Sequence, residues 1–252
     1  MPGVRVVLAL LVGVAVHGHF VGARGLPPEG ELDEVIAKNI EARGGMERWS
    51  KVTTMRVAGV VNSNGTEIAT LQENKRPAMV RSEFTIQGMT GIQAWDGTTG
   101  WQLMPFGGRR DPERVSEDDI KSLIESADIE GPLVNWREKG HKVEYLGIES
   151  VDGTDAHKIR VTRRNGDISY MYLDAEHYLE IRIEDIRKVR GAEVETRTDL
   201  GNYETVDGLV VPFLFEMGQK GNPNTQKLRI TKVEVNVPIE DGRFAFPKGQ
   251  GR

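Results

Sequence analysis

The sequence predicts a mainly β (α+β) protein built on one strongly curved antiparallel sheet, with its helices on the concave side. Three observations predict it. Apolar and polar residues alternate at period two through most of residues 52–104 and 142–237; short turns with Asp-Gly or Asn-Gly separate these segments; and only two or three stretches have helical spacing. Strands so closely joined pair as antiparallel neighbours, because a parallel crossover needs about a dozen residues or more.

The N-terminus reads as an export signal. Met1–Arg5 has one positive charge, Val6–Val16 is an apolar run, and Val21 and Ala23 precede a cut ahead of Arg24. A bilayer span takes about 20 apolar residues, so the expectation is a cleaved signal peptide over 1–23, one domain over 24–252 and a soluble periplasmic product. The chain has no cysteine, which removes disulfides, thiolate metal sites and lipid attachment at a processed N-terminal cysteine. Removing residues 1–23 takes away Arg5 alone and moves the formal charge from −5 to −6. With acidic and basic residues interspersed, nucleic acid is not an expected partner.

After Pro27-Pro28, Leu32, Val35, Ile36 and Ile40 recur at helical spacing and predict a helix over Leu32–Arg43, ended by Gly44-Gly45. A short turn of helix at Met46–Ser50 places Trp49 against the first strand. In that strand Met55, Val57 and Val61 face one way and Arg56 the other. Asn62–Gly65 is a turn, although Asn64-Gly65-Thr66 also matches a glycosylation acceptor; Glu67–Asn74 and Met79–Ile86 follow as strands, and Pro77 belongs at a strand start or edge. Ile92–Trp95 and Gly100–Met104 form a hairpin around Asp96-Gly97, whose Trp95 and Trp101 serve either core packing or ligand contact.

The period-two pattern stops between Gly107 and Lys139. A charged loop leads to a helix capped by Ser116 with Asp119, then to the apolar segment Leu133–Trp136; this insertion either lies over the sheet as a lid or plugs its open edge. Strands resume at Val143–Ile148, Ala156–Thr162, Ser169–Leu173, Leu179–Val189, Val194–Tyr203, Leu209–Met217 and Leu228–Val237. EYLGIESVDG (144–153) and DLGNYETVDG (199–208) echo each other as strands entering the same kind of turn, not as a repeat.

IEARGG, AWDGTTGWQLMP, VEYLGIESVDG and NYETVDGLVVP, in this order about the helical insertion, resemble the LolA/LolB-like superfamily, nearest to its outer membrane lipoprotein-sorting group, over residues 31–247. The resemblance implies a sheet curled into an incomplete barrel, closed by helices, with an apolar cavity that shelters acyl chains. It implies lipid or an acylated lipoprotein as partner, with envelope membrane proteins as donor or acceptor; no cofactor is expected. A regulatory or structural envelope protein of the same fold that binds another protein is the alternative.

No nucleophile elbow, zinc-protease motif, Walker loop or dinucleotide fingerprint occurs, and the protein is expected not to be an enzyme. His141, His157 and His177 are too scattered for a local metal motif, and the acidic run Glu117–Asp119 suits a helix N-terminus. Strand parity selects four i,i+2 pairs as the expected apolar cavity lining: Phe84 and Ile86, Trp101 and Leu103, Ile181 and Ile183, Phe213 and Phe215. Glutamate at Trp101, Ile183 or Phe215 is then expected to remove acyl binding and spare the fold.

Overall fold

A computed structural model describes residues 29–247 except 64, 107, 109, 110 and 190. The segment expected to be a signal peptide, residues 1–23, and Asn64 lie outside the described residues. Three helices, α1 (Glu29–Ala42), α2 (Met46–Lys51) and α3 (Glu117–Ser126), accompany thirteen strands. These are β1 (Thr54–Ser63), β2 (Thr66–Lys75), β3 (Met79–Ile86), β4 (Met89–Trp95), β5 (Gly100–Leu103), β6 (Glu113–Arg114), β7 (Lys142–Val151), β8 (Thr154–Thr162), β9 (Ile168–Asp174), β10 (Glu180–Val189), β11 (Ala192–Val206), β12 (Leu209–Gln219) and β13 (Gln226–Val235).

All thirteen lie in one open sheet, in the order β6-β5-β4-β3-β2-β1-β13-β12-β11-β10-β9-β8-β7. Every pair is antiparallel. Only β1 with β13 joins strands distant in sequence, so one long-range pairing unites two meanders. The sheet is curved but not closed, with the helices on its concave face. β6 falls where the sequence reads as a charged loop; two exposed residues hydrogen-bonded to Trp101 and Gln102 have no alternation to reveal them.

Three core clusters seat the helices. Val35 and Ile36 of α1 pack on Val143, Tyr145, Ile159, Val161, Met171 and Leu173. Trp49 and Val52 pack on Met55 and Leu209, and Leu123 of α3 packs on Val80. The segment after α3 threads all three, placing Ala127, Ile129 and Leu133 in successive clusters. The apolar residues of that segment thus find cover beneath the helices. Ser116 caps α3, its Oγ accepting the Asp119 N–H at 3.2 Å.

The echoed phrases are the same turn. Asp152-Gly153 and Asp207-Gly208 each join a two-residue hairpin with both residues at positive φ, 49° and 90° against 50° and 79°. That is the twist-matched geometry Asp-Gly favours. Their surroundings differ: a Cβ on Gly153 meets nothing within 4 Å, whereas one on Gly208 falls 2.6 Å from Arg48 Nε.

Under α1, Nδ1 of His157 lies 2.8 Å from the Tyr145 hydroxyl, the ring stacks on Tyr178, and Nε2 is buried without a partner. Burial holds this imidazole below its ordinary pKa, with Lys38 acting in the same direction and Glu31 and Asp174 opposing. The unfolded chain therefore binds the proton first as pH falls. Stability is expected to be full above the ordinary histidine range, near pH 6.5, and to decline below it until the folded-state pKa is passed. His157→Gln should flatten the melting-temperature profile between about pH 7 and 5; an unchanged slope would remove His157 as its source.

Candidate functional site

The predicted lining residues do not share one surface. Register shows this strand by strand. Trp101 pairs with Ala94, and Ala94 with Arg81, whereas Phe84 pairs with Gly91. Ala94 and Gly91 are three residues apart, so Trp101 and Leu103 face one side of the sheet and Phe84 and Ile86 the other. The helices lie on the side of Phe84, because Val80, of the same parity, packs under α3.

Trp101 is therefore on the outer face. Only 1% exposed, it is covered by the C-terminal segment: its indole N–H donates to the Phe244 carbonyl at 2.7 Å, and its ring meets Phe246 edge-on. A cavity of about 480 Å³ next to it is bounded by Leu103, Arg81 and Arg243. Ion pairs clamp this segment: Arg243 reaches buried Glu73 at 2.7 Å and Glu83 at 3.0 Å, and Lys75 reaches Asp241 at 2.6 Å. Trp101 is thus an element of the core beneath that segment, not part of a surface shared with Phe84.

Ile181 and Ile183 do not point one way either. The ladder with β9 shifts between Glu180, opposite Leu173, and Arg182, opposite Tyr172, leaving Ile181 as the extra residue of a bulge. The bulge inverts the parity. Ile183 packs into the α1 cluster, and Ile181 packs with Tyr170 and Tyr172 on the outer face.

Phe213 and Phe215 do share a side, that of Val211 in the α2 cluster; Phe213 is buried and Phe215 half-buried. With Phe215 the register assembles an apolar band across the helix-bearing face. Leu228 lies between Phe215 and Val61, Val61 between Leu228 and Ile68, and Ile86 beside Met89. Ile68 and Ile86 adjoin the Ala69–Thr85 pair, so the row runs on from β2 to β3. Leu200 extends it past Phe215. These side chains are half-buried, Met89 exposed, and none of them is in the helix-covered clusters. Next to the row the Phe84 ring lies over Gly91 and stacks on Phe106 at 5.6 Å.

The α3 helix bridges this face. Its N-terminal part packs at β3–β5, where a Cβ on Gly100 would meet Val115 and Ile120, while Glu125 near its end pairs with Arg187 of β10 at 2.7 Å. The insertion lies over the sheet with α3 at its β3–β5 end, next to the edge strand β6. A further cavity of about 700 Å³ opens between α3, the β2–β3 turn and the β8–β9 turn. Among the described residues, no group of histidines and carboxylates is arranged to hold a metal ion.

The residues that sequence parity missed are Val61, Ile68, Met89, Leu200 and Leu228. Each is an apolar residue at an alternating strand position, but only register reveals that they form one row. The order of strands, the curved open sheet and the helices on its concave side give the chain a LolA-like fold. The sequence matches no family model and no curated protein. Solved structures are similar in fold. A LolA superfamily protein from Nitrosomonas europaea superposes with a TM-score of 0.59 at 14% identity, over 85% of this chain and 97% of that one. A DUF1329 family protein from Desulfovibrio piger gives 0.56 at 12% identity, over 85% and 97%. A putative outer membrane lipoprotein-sorting protein domain from Vibrio parahaemolyticus gives 0.54 at 13% identity, over 84% and 94%.

Proposed function

We propose that the protein is a non-enzymatic periplasmic carrier that shelters acyl chains of a lipid or acylated lipoprotein on its helix-bearing face. The observation supporting this is the apolar band from Met89 and Ile86 to Phe215 and Leu200. Packed core needs no half-buried apolar row outside its clusters, whereas an acyl chain lying along it removes that surface from water at about 25 cal/mol per Å². Fold similarity to a lipoprotein-sorting domain is consistent with this reading.

The test is binding of a fluorescent fatty acyl probe. Phe215→Glu and Ile86→Glu should each weaken binding about tenfold or more, the loss of roughly 1.5–3 kcal/mol of apolar contact, and leave the melting temperature within a few degrees. Native mass spectrometry of protein purified from its own envelope fraction should show bound lipid. Undiminished probe binding in both variants would refute the band as the site.

A further inference from the structure

The 700 Å³ cavity beside α3 differs in chemistry from the apolar band. Its size is that of a small-molecule site. Lys121, Lys139, Arg163 and Arg164 line it with only two carboxylates, Glu125 and Asp128. Those carboxylates are already engaged: Lys139 holds Asp128 at 2.7 Å, and Glu125 pairs with Arg187 and Arg163. Lys121 is tied to Asp118, outside the cavity, at 3.1 Å. Arg164, exposed at the rim, makes no ion pair among the described residues. Arg163 also reaches Asp185, outside the cavity, at 3.5 Å, so the uncompensated positive charge of the lining is that of Arg164.

His141 reports the same field. It lines the cavity, and its Nδ1 is buried without a hydrogen-bond partner. Burial first, then the neighbouring charges of Arg163 and Lys139, hold its imidazole below the ordinary range. An anionic oxygen in the cavity would offset those cations and favour the protonated ring. Pro77, Ala78, Ile124 and Pro132 give the cavity an apolar wall, with Ile124, one turn from Lys121 on α3, 46% exposed.

We propose that this cavity binds a compact anionic group of the phosphate or carboxylate class attached to an apolar body, such as the headgroup of an acidic lipid. For its apolar half the inference rests on the carrier reading above. Arg164 supplies the uncommitted charge, planar and always protonated, suited to bidentate recognition of such a group. Cations already paired with carboxylates surround it and need not be freed. The anion stands over the apolar wall, which accounts for pairing a charged rim with exposed Ile124.

The experiment uses short-chain lipids below their micellar range. Binding of dihexanoyl phosphatidylglycerol, dihexanoyl phosphatidylcholine and inorganic phosphate is measured by calorimetry, and the His141 imidazole is titrated by NMR in the presence of each. Phosphatidylglycerol should bind about tenfold or more tighter than phosphatidylcholine and should raise the His141 pKa. Arg164→Glu and, separately, Lys121→Glu should each reduce that preference about tenfold and keep the wild-type melt, since both side chains lie at the surface. Equal binding of the two lipids, or an unmoved His141, overturns the proposal. Inorganic phosphate binding as tightly as phosphatidylglycerol overturns its amphiphile part. The acyl probe separates this from the carrier reading: Arg164→Glu should leave probe binding on the band intact. A wild-type protein that ignores the probe yet shifts His141 with phosphatidylglycerol would refute the band and retain this site.

Discussion

Glutamate in place of Trp101 is expected to unfold the protein, an outcome opposite to that for Phe215. Both side chains lie on the sheet as members of apolar i,i+2 pairs, and their different burial decides the result. Trp101 is 1% exposed between the sheet and the C-terminal segment, with its indole N–H bound to Phe244. The substitution empties a large volume, orphans the Phe244 carbonyl and places a carboxylate where water is excluded. Truncation of a buried tryptophan alone costs about 3–5 kcal/mol, a large share of the 5–15 kcal/mol that stabilises a typical domain. Arg81 lies over the indole ring at 5.6 Å and would soften the charge but not fill the cavity. The check is a denaturant melt of Trp101→Glu against Phe215→Glu. A Trp101→Glu melt within a few degrees of wild type would show that the C-terminal segment is not a structural clasp.

The second large effect is expected at Gly44→Ala. Gly44 ends α1 at a φ of +109°, and a Cβ there would lie 2.3 Å from the Gly208 carbonyl oxygen and 3.1 Å from Leu209 Cα. Both contacts are backbone and cannot turn aside. They matter because this is where α1 docks on β12: the Val210 N–H donates to the Arg43 carbonyl at 3.1 Å, and Trp49 Nε1–H donates to the same oxygen at 3.1 Å. Alanine must force the helix off the strand as well as adopt a positive φ, so a loss of about 3 kcal/mol or more is expected, read as a drop in denaturant midpoint. Gly153→Ala is the control. Also at positive φ but with open space around its Cβ, it should cost only about 1 kcal/mol. Equal losses at the two positions would mean that backbone conformation, not docking, explains both.

Much of the fold is readable from local patterns. Met79–Ile86 is the strand that its alternation predicts, Met46 begins α2, Ser116 caps α3, and the two Val-Asp-Gly turns have the same geometry. These features depend on neighbours within a few residues, where period, capping and turn chemistry act directly. They establish a β protein with few helices, and the order of its elements carries the resemblance to LolA-like proteins. Which face each residue serves was decided by tertiary structure. One bulge at Ile181 inverts parity, Phe84 and Trp101 occupy opposite faces although both belong to apolar strand pairs, and a C-terminal segment without regular spacing covers Trp101. The apolar band exists only once β1 has paired with β13, and the cationic cavity only once α3 meets the β8–β9 turn. The physical reason is that periodicity states which side chains share a side of one strand, whereas register, bulges and the docking of distant segments determine what lies opposite that side.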